Sequence, residues 1–148
     1  MTSWGTGSMT VNLYLSRRSW ILKEKQIVKV LSAVMNGEKK RGAMSVHLVG
    51  VEKMRKLNAA YRGQDRVTDV LSFPTEDPRE GEERDWGDIF LCPVRIKSQA
   101  KEWGETEKKE AGRMLVHGAL HLLGYEHRTS KEKEKMFNKQ ERYLEKLI

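Results

Sequence analysis

The chain has 148 residues, with 28 basic against 21 acidic side chains, a formal net charge of +7 and one cysteine. Such a length holds one domain with a real hydrophobic core, and the lone Cys92 excludes an internal disulfide and fits a reducing cytoplasm. No apolar run reaches the length of a membrane span, the N-terminus lacks a signal-peptide core, and the basic balance favours polyanionic partners or a well-solvated surface.

Residues 1–8 are rich in Gly, Ser and Thr and have no periodicity. They are expected as a disordered leader or a remnant of cloning, with Met9 as the natural start of a single domain over residues 9–148. Val11 to Leu15 alternates and predicts a strand. Trp20 to Asn36 carries Ile21, Ile27, Val30, Leu31 and Val34 at helical spacing, and Gly37 follows as a stop. Ala43 to Val49 alternates again and predicts a second strand, with His47 alone on it and assigned no ligand role. Val51 to Tyr61 predicts a short helix with Met54 and Leu57 inward, stopped at Gly63. Thr68 to Pro74 and Asp88 to Cys92 predict two strands that pair across the acidic loop Glu76 to Asp85. Ile96 to Trp103 and Thr106 to Leu123 predict helices. Ser130 to Leu147 predicts an amphipathic helix with Met136, Phe137, Tyr143, Leu144 and Leu147 as its apolar face. These elements predict an α+β fold, a sheet of about four strands packed by helices around the helix Thr106 to Leu123.

That central helix carries the chemistry. Three of the four histidines fall in His117-Gly118-Ala119-Leu120-His121-Leu122-Leu123-Gly124-Tyr125-Glu126-His127. A four-residue interval puts His117 and His121 on one helical face. Gly124 allows the left-handed turn that ends the helix, after which His127 approaches the same point from a loop. Three neutral imidazoles with an open fourth position are the donor set of a catalytic zinc site, so one Zn2+ per chain is expected, with another divalent metal as the alternative. The alternative for any one such residue is a buried core histidine. The spacing H-x-x-x-H-x-x-G-x-x-H is that of metzincin proteases, but Gly118 stands where they carry their Glu base, which argues against a zinc peptidase.

Charge is uneven. Arg17 to Arg66 holds 13 basic and 4 acidic residues, and Asp69 to Asp88 holds 2 basic and 8 acidic. The two segments are either solvated faces or a basic RNA face beside an acidic loop.

Three stretches in this order resemble the YbeY family of bacterial rRNA maturation factors and metal-dependent endoribonucleases. They are L-N-x-x-Y-R (Leu57 to Arg62), T-D-V-L-S-F-P (Thr68 to Pro74) with G-D-I (Gly87 to Ile89), and the histidine stretch. Glu126 stands where the family usually has Asp, and Val67 where Pro is common. The resemblance implies a cytoplasmic, zinc-bound endoribonuclease specific for single strands, which matures the 3′ end of 16S rRNA and acts with the ribosome in its quality control. It also implies His117, His121 and His127 as metal ligands and Arg62 as the residue of functional weight beside them. Read from the residues alone, Arg62 is either a cleft residue that binds phosphate or a surface residue at a helix end. Asp69 and Asp88 are either partners of a histidine N–H or caps of turns. A non-catalytic ribosome-associated module with a structural metal is the remaining alternative.

Overall fold

Met9, Val11 and Leu13 are buried while Thr10, Asn12 and Tyr14 are not, and this period of two makes Met9–Leu15 a strand with one apolar face. The computed structural model describes residues 2–6, 9–15 and 20–147. In chain order these form β1 (Thr2–Thr6), β2 (Met9–Leu15), α1 (Glu24–Gly37), β3 (Gly42–Leu48), α2 (Val51–Arg62), β4 (Val70–Pro74), β5 (Asp85–Leu91), α3 (Pro93–Glu102), α4 (Glu107–Leu122) and α5 (Ser130–Leu147). The single-domain α+β expectation holds, with five strands in the order β1-β2-β3-β5-β4. The parallel pairs β2–β3 and β3–β5 form the middle, and antiparallel β1 and β4 close the edges.

β1 is the strand that sequence reasoning missed. Residues 1–8 were expected as a disordered leader, yet Thr2–Thr6 pairs with β2 from Thr2↔Leu13 to Thr6↔Met9. An open strand edge is a row of unpaired donors and acceptors, and β1 satisfies it. Trp4 also packs against the core and its indole N–H donates to Glu24 at 3.3 Å. Met1, Gly7 and Ser8 lie outside the described residues, as do Arg17 and Arg18 of the basic segment.

One face of the sheet carries the main core. Val11, Leu13, Met44, Val46, Leu48, Ile89 and Leu91 point into it, under α1 and α4. Each such large side chain contributes roughly 1.5–3 kcal/mol through its removal from water. α1 starts four residues later than expected, at Glu24, and leaves Ile21 outside it and 40% exposed. α5 buries Met136, Gln140 and Leu144, spaced by four, whereas Phe137 stands on the outer side at 56% exposure. The expected apolar face of α5 is corrected accordingly: a polar glutamine takes the place assigned to Phe137.

α2 lies on the opposite side of the sheet. Its Met54 and Leu57 join Val49, Leu71, Phe73, Phe90 and Cys92 in a second, smaller cluster. The basic segment is therefore divided, with α1 on one face and α2 on the other, and Arg41 between them is tied to Glu82 of the acidic loop at 3.0 Å. A single continuous basic face across Arg17 to Arg66 does not form among the described residues.

Candidate metal centre

α4 begins at an N-cap, Thr106, whose hydroxyl accepts from the Lys109 N–H at 3.1 Å. From Met114 onward the helix carries no charged residue, and all of it but the two histidines is buried to Leu122. The helix stops where Gly124 adopts φ +103°, with the Gly124 N–H on the His121 carbonyl and the Tyr125 N–H on the Leu120 carbonyl. The chain folds back, and His127 meets His117 and His121. Ring centroids lie 4.7, 5.8 and 4.6 Å apart around the triangle. One nitrogen of each ring lies within 4.8 Å of the others. A single ion held at about 2 Å from each donor would draw these nitrogens closer together.

The protonation states fit a metal. Burial is the main cause that lowers the pKa of both helical histidines, and His121 falls to about 4. The neighbouring imidazoles and the Arg62 charge push in the same direction. Both rings are therefore neutral near pH 7 and offer a lone pair. His117 Nδ1 is hydrogen-bonded at 2.8 Å to Gln140 Oε1, an acceptor. That bond fixes the proton on Nδ1 and leaves Nε2 bare for a cation.

Gln140 is itself held. Its amide N–H donates to Glu141 at 3.3 Å, and Glu141 receives two bonds of 3.0 Å from Arg113. Arg113 reaches on to Glu110 at 2.6 Å and Glu105 at 3.0 Å. Glu110 is fully buried and also accepts from Gln99, which bridges to Asp69. A single guanidinium thus serves three carboxylates at the base of the centre, and the Glu141 hydrogen bond is the first cause that raises its pKa. Asp69 and Asp88 do not touch a cluster histidine. Asp69 caps the start of β4 through the Val70 N–H at 2.9 Å, and Asp88 bonds His47 at 2.7 Å. His47 sits on the far face of the sheet, away from the three-histidine cluster.

Gly118 has a steric reason. A Cβ there would meet Ile89 Cγ2 at 2.7 Å and Ser72 Oγ at 3.3 Å. The Ser72 hydroxyl donates to the Gly118 carbonyl at 3.2 Å. α4 is pressed onto β4 and β5 at this turn, so no side chain, least of all the glutamate of a zinc peptidase, has room.

Arg62 ends α2, next to Gly63 at φ +66°. It is exposed, and among the described residues no hydrogen bond or ion pair holds its guanidinium. Its positive charge is the smallest of the influences that hold His117 and His121 neutral. The loop that carries His127 is anchored from behind. The Tyr125 hydroxyl donates to Glu38 at 2.6 Å, Tyr143 donates to the same carboxylate at 2.5 Å, and Lys139 reaches both Glu38 and Tyr125. Sequence reasoning missed Gln140, Glu110 and Glu38. The one available signal was Gln140, a polar residue on the line of Met136 and Leu144.

The chain is similar to known proteins over most of its length. The family model for Endoribonuclease YbeY matches residues 15–148. The protein named endoribonuclease YbeY in Brevibacillus brevis is 39% identical over 134 residues, covering 82% of this chain and 84% of its own. The one so named in Bacillus subtilis is 38% identical over 133 residues, covering 84% and 85%. A solution structure of a Thermotoga maritima protein superposes with a TM-score of 0.63 at 31% identity, covering 93% of this chain and 88% of that one.

Proposed function

The chain belongs to the YbeY endoribonuclease family, and from that premise we propose that it cuts single-stranded RNA at a zinc ion held by His117, His121 and His127, with Arg62 on the scissile phosphate. The observation that carries this reading is the meeting of three imidazole nitrogens within 4.8 Å of one another, with the Arg62 charge acting on two of the rings. A zinc ion bound there would supply Lewis-acid stabilisation of developing charge and activation of water. The protein's own part is positioning. Gln140 holds His117 in the tautomer that presents Nε2. Arg62 offers forked donors that match two phosphate oxygens and stabilises the charge that grows on them during cleavage. Among the described residues no carboxylate is hydrogen-bonded to the three histidines, and we assign no general base.

The substrate we assign is the 3′ end of 16S rRNA, and the setting is the cytoplasm in contact with the ribosome, as the family resemblance implies. Selectivity for single strands belongs to the same reading, as the family resemblance implies. The domain that goes with this reading is one catalytic unit over residues 9–148, with β1 added at its sheet edge. The peptidase alternative fails on Gly118, which has neither a base nor space for one.

The test is cleavage of single-stranded RNA, double-stranded RNA and casein, with and without chelator. Only single-stranded RNA should be cut, with activity lost to chelator and restored by zinc. Arg62→Ala should keep its melting temperature and metal content while cleavage falls by about 10²–10³-fold. Casein hydrolysis, metal-independent cutting or an active Arg62→Ala protein contradicts the assignment.

A further inference from the structure

The face of the sheet away from α1 and α4 is covered by α2 only along its β4–β5 margin. Over β2, β3 and β5 the outward side chains include Asn12, Tyr14, Ser45, His47, Asp88 and Phe90, of which Tyr14 is exposed and the other five are partly buried. The composition is unusual for a solvated sheet face, which is ordinarily rich in Lys, Glu and Thr. It is equally unlike a protein-docking face, because no Leu, Ile, Val or Met points out of these strands there. What it offers is aromatic rings and short hydrogen-bonding groups.

The rings form a series. Tyr14 stacks on His47 with centroids 4.5 Å apart and planes within 6°, and His47 stacks on Phe90 at 4.2 Å and 7°. Phe90 meets Phe73 edge to face at 5.6 Å, and Phe73 meets Tyr61 at 5.1 Å. The series runs diagonally from the β2 side of the sheet to the C-terminal turn of α2, where Tyr61 precedes Arg62. Its two ends are its most exposed members, Tyr14 at 41% and Tyr61 at 69%. One face of the Tyr14 ring is taken by His47. The Tyr14 ring is otherwise open to the surface, at 41% exposure. The Asp88–His47 pair holds the middle ring upright at 2.7 Å.

We propose that this sheet face is a second RNA-contacting surface, on which the single strand that leaves the cleft past Tyr61 lays a base on the open ring of Tyr14. The occupant is single-stranded RNA because stacking on aromatic rings is tolerant of base identity and needs unpaired bases, and because the ring series is continuous with Arg62. Asn12, Ser45 and the Asp88–His47 pair supply donors and acceptors to base edges along the way. The proposal rests on the cleft of Arg62 and the three histidines being the cleavage centre. It adds that long strands are held by a surface that short ones do not reach.

The experiment uses the full chain carrying Arg62→Ala, so that RNA is bound without turnover. Its failure to stop cleavage would count against the cleavage centre and not against the sheet face. Binding of a fluorescent single-stranded pentadecamer and a tetramer is measured by anisotropy with Tyr14, Tyr14→Ala and Tyr14→Phe. Tyr14→Ala should weaken the pentadecamer about tenfold and leave the tetramer unaffected, and Tyr14→Phe should restore the loss. Because Tyr14→Ala can also disturb the sheet, a pentadecamer bearing 4-thiouridine is photocrosslinked to the protein with Tyr14 intact. A crosslinked peptide containing Tyr14 supports the surface. Equal pentadecamer affinity in all three proteins, or crosslinks confined to peptides around residue 62 and the three histidines, overturns it and leaves the face to a protein partner or to solvent.

Discussion

A glutamine sets the chemistry of His117. An imidazole presents one bare nitrogen only when its other nitrogen is committed as a donor, and Gln140 Oε1 makes that commitment at 2.8 Å. The glutamine side chain has two ends, and Glu141 fixes which end faces the histidine by accepting from its amide nitrogen. Gln140→Leu keeps the volume and removes the acceptor. Zinc affinity, measured by competition with a chromogenic chelator, should fall about 10–100-fold. The fold should survive with a small loss of melting temperature. Unchanged affinity would mean that His117 holds its orientation without help. Gln140→Glu offers the same acceptor and should retain more of the affinity than Gln140→Leu.

Helix α4 and the sheet meet closely enough at one turn to dictate a glycine. His117 and His121 flank Gly118 on the same helix, so their distance from β4 is set by how near the backbone lies to Ile89 and Ser72. Gly118→Ala adds one methyl with no place to go, because its nearest neighbour is the packed end of a core isoleucine. The expected outcome is an overpacking cost of about 1–3 kcal/mol in denaturant melts, with weakened zinc binding as α4 shifts outward. Helix propensity acts the other way and favours alanine by roughly 1 kcal/mol. A more stable Gly118→Ala protein with full zinc affinity would show that the helix relaxes freely at this point.

Across the whole molecule, Glu38 joins the end of α1, the loop that carries His127 and helix α5. Burial alone would raise its pKa, but hydrogen bonds from Tyr125, Tyr143 and Lys139 outweigh it and hold the carboxyl below its ordinary value of 4.5. A carboxylate with a depressed folded pKa contributes stability above its unfolded pKa and loses it as pH falls through the folded value. Melting temperature should therefore decline as pH drops below about 4.5, and Glu38→Gln should flatten part of that decline. The same variant should be less stable at neutral pH by about 1–3 kcal/mol, since two tyrosine hydroxyls lose a charged acceptor. An acid limb identical in both proteins would assign the pH dependence to other carboxylates, Glu141 and Glu105 first, both of which are also lowered.

The sequence by itself determined whatever lies within one turn of helix or one alternation of strand. His117 and His121 share a face because 3.6 residues make a turn, and Gly124 ends α4 because φ +103° is costly for any side chain. The apolar runs located most elements to within a few residues, and the three motifs carried the family. What only the tertiary structure decided depends on residues far apart in the chain. Thr2–Thr6 carries no pattern of its own and becomes a strand because β2 leaves an edge to pair with. Gln140 finds His117, and Glu38 finds Tyr125 and Tyr143, across 23, 87 and 105 positions. Polar partners of that kind leave no period in a sequence, because a hydrogen bond constrains where two side chains end and not how their neighbours are spaced. The division of the basic segment between two faces has the same origin. Its charge was countable in the sequence, but the crossover of α1 and α2 to opposite sides of the sheet set where that charge points.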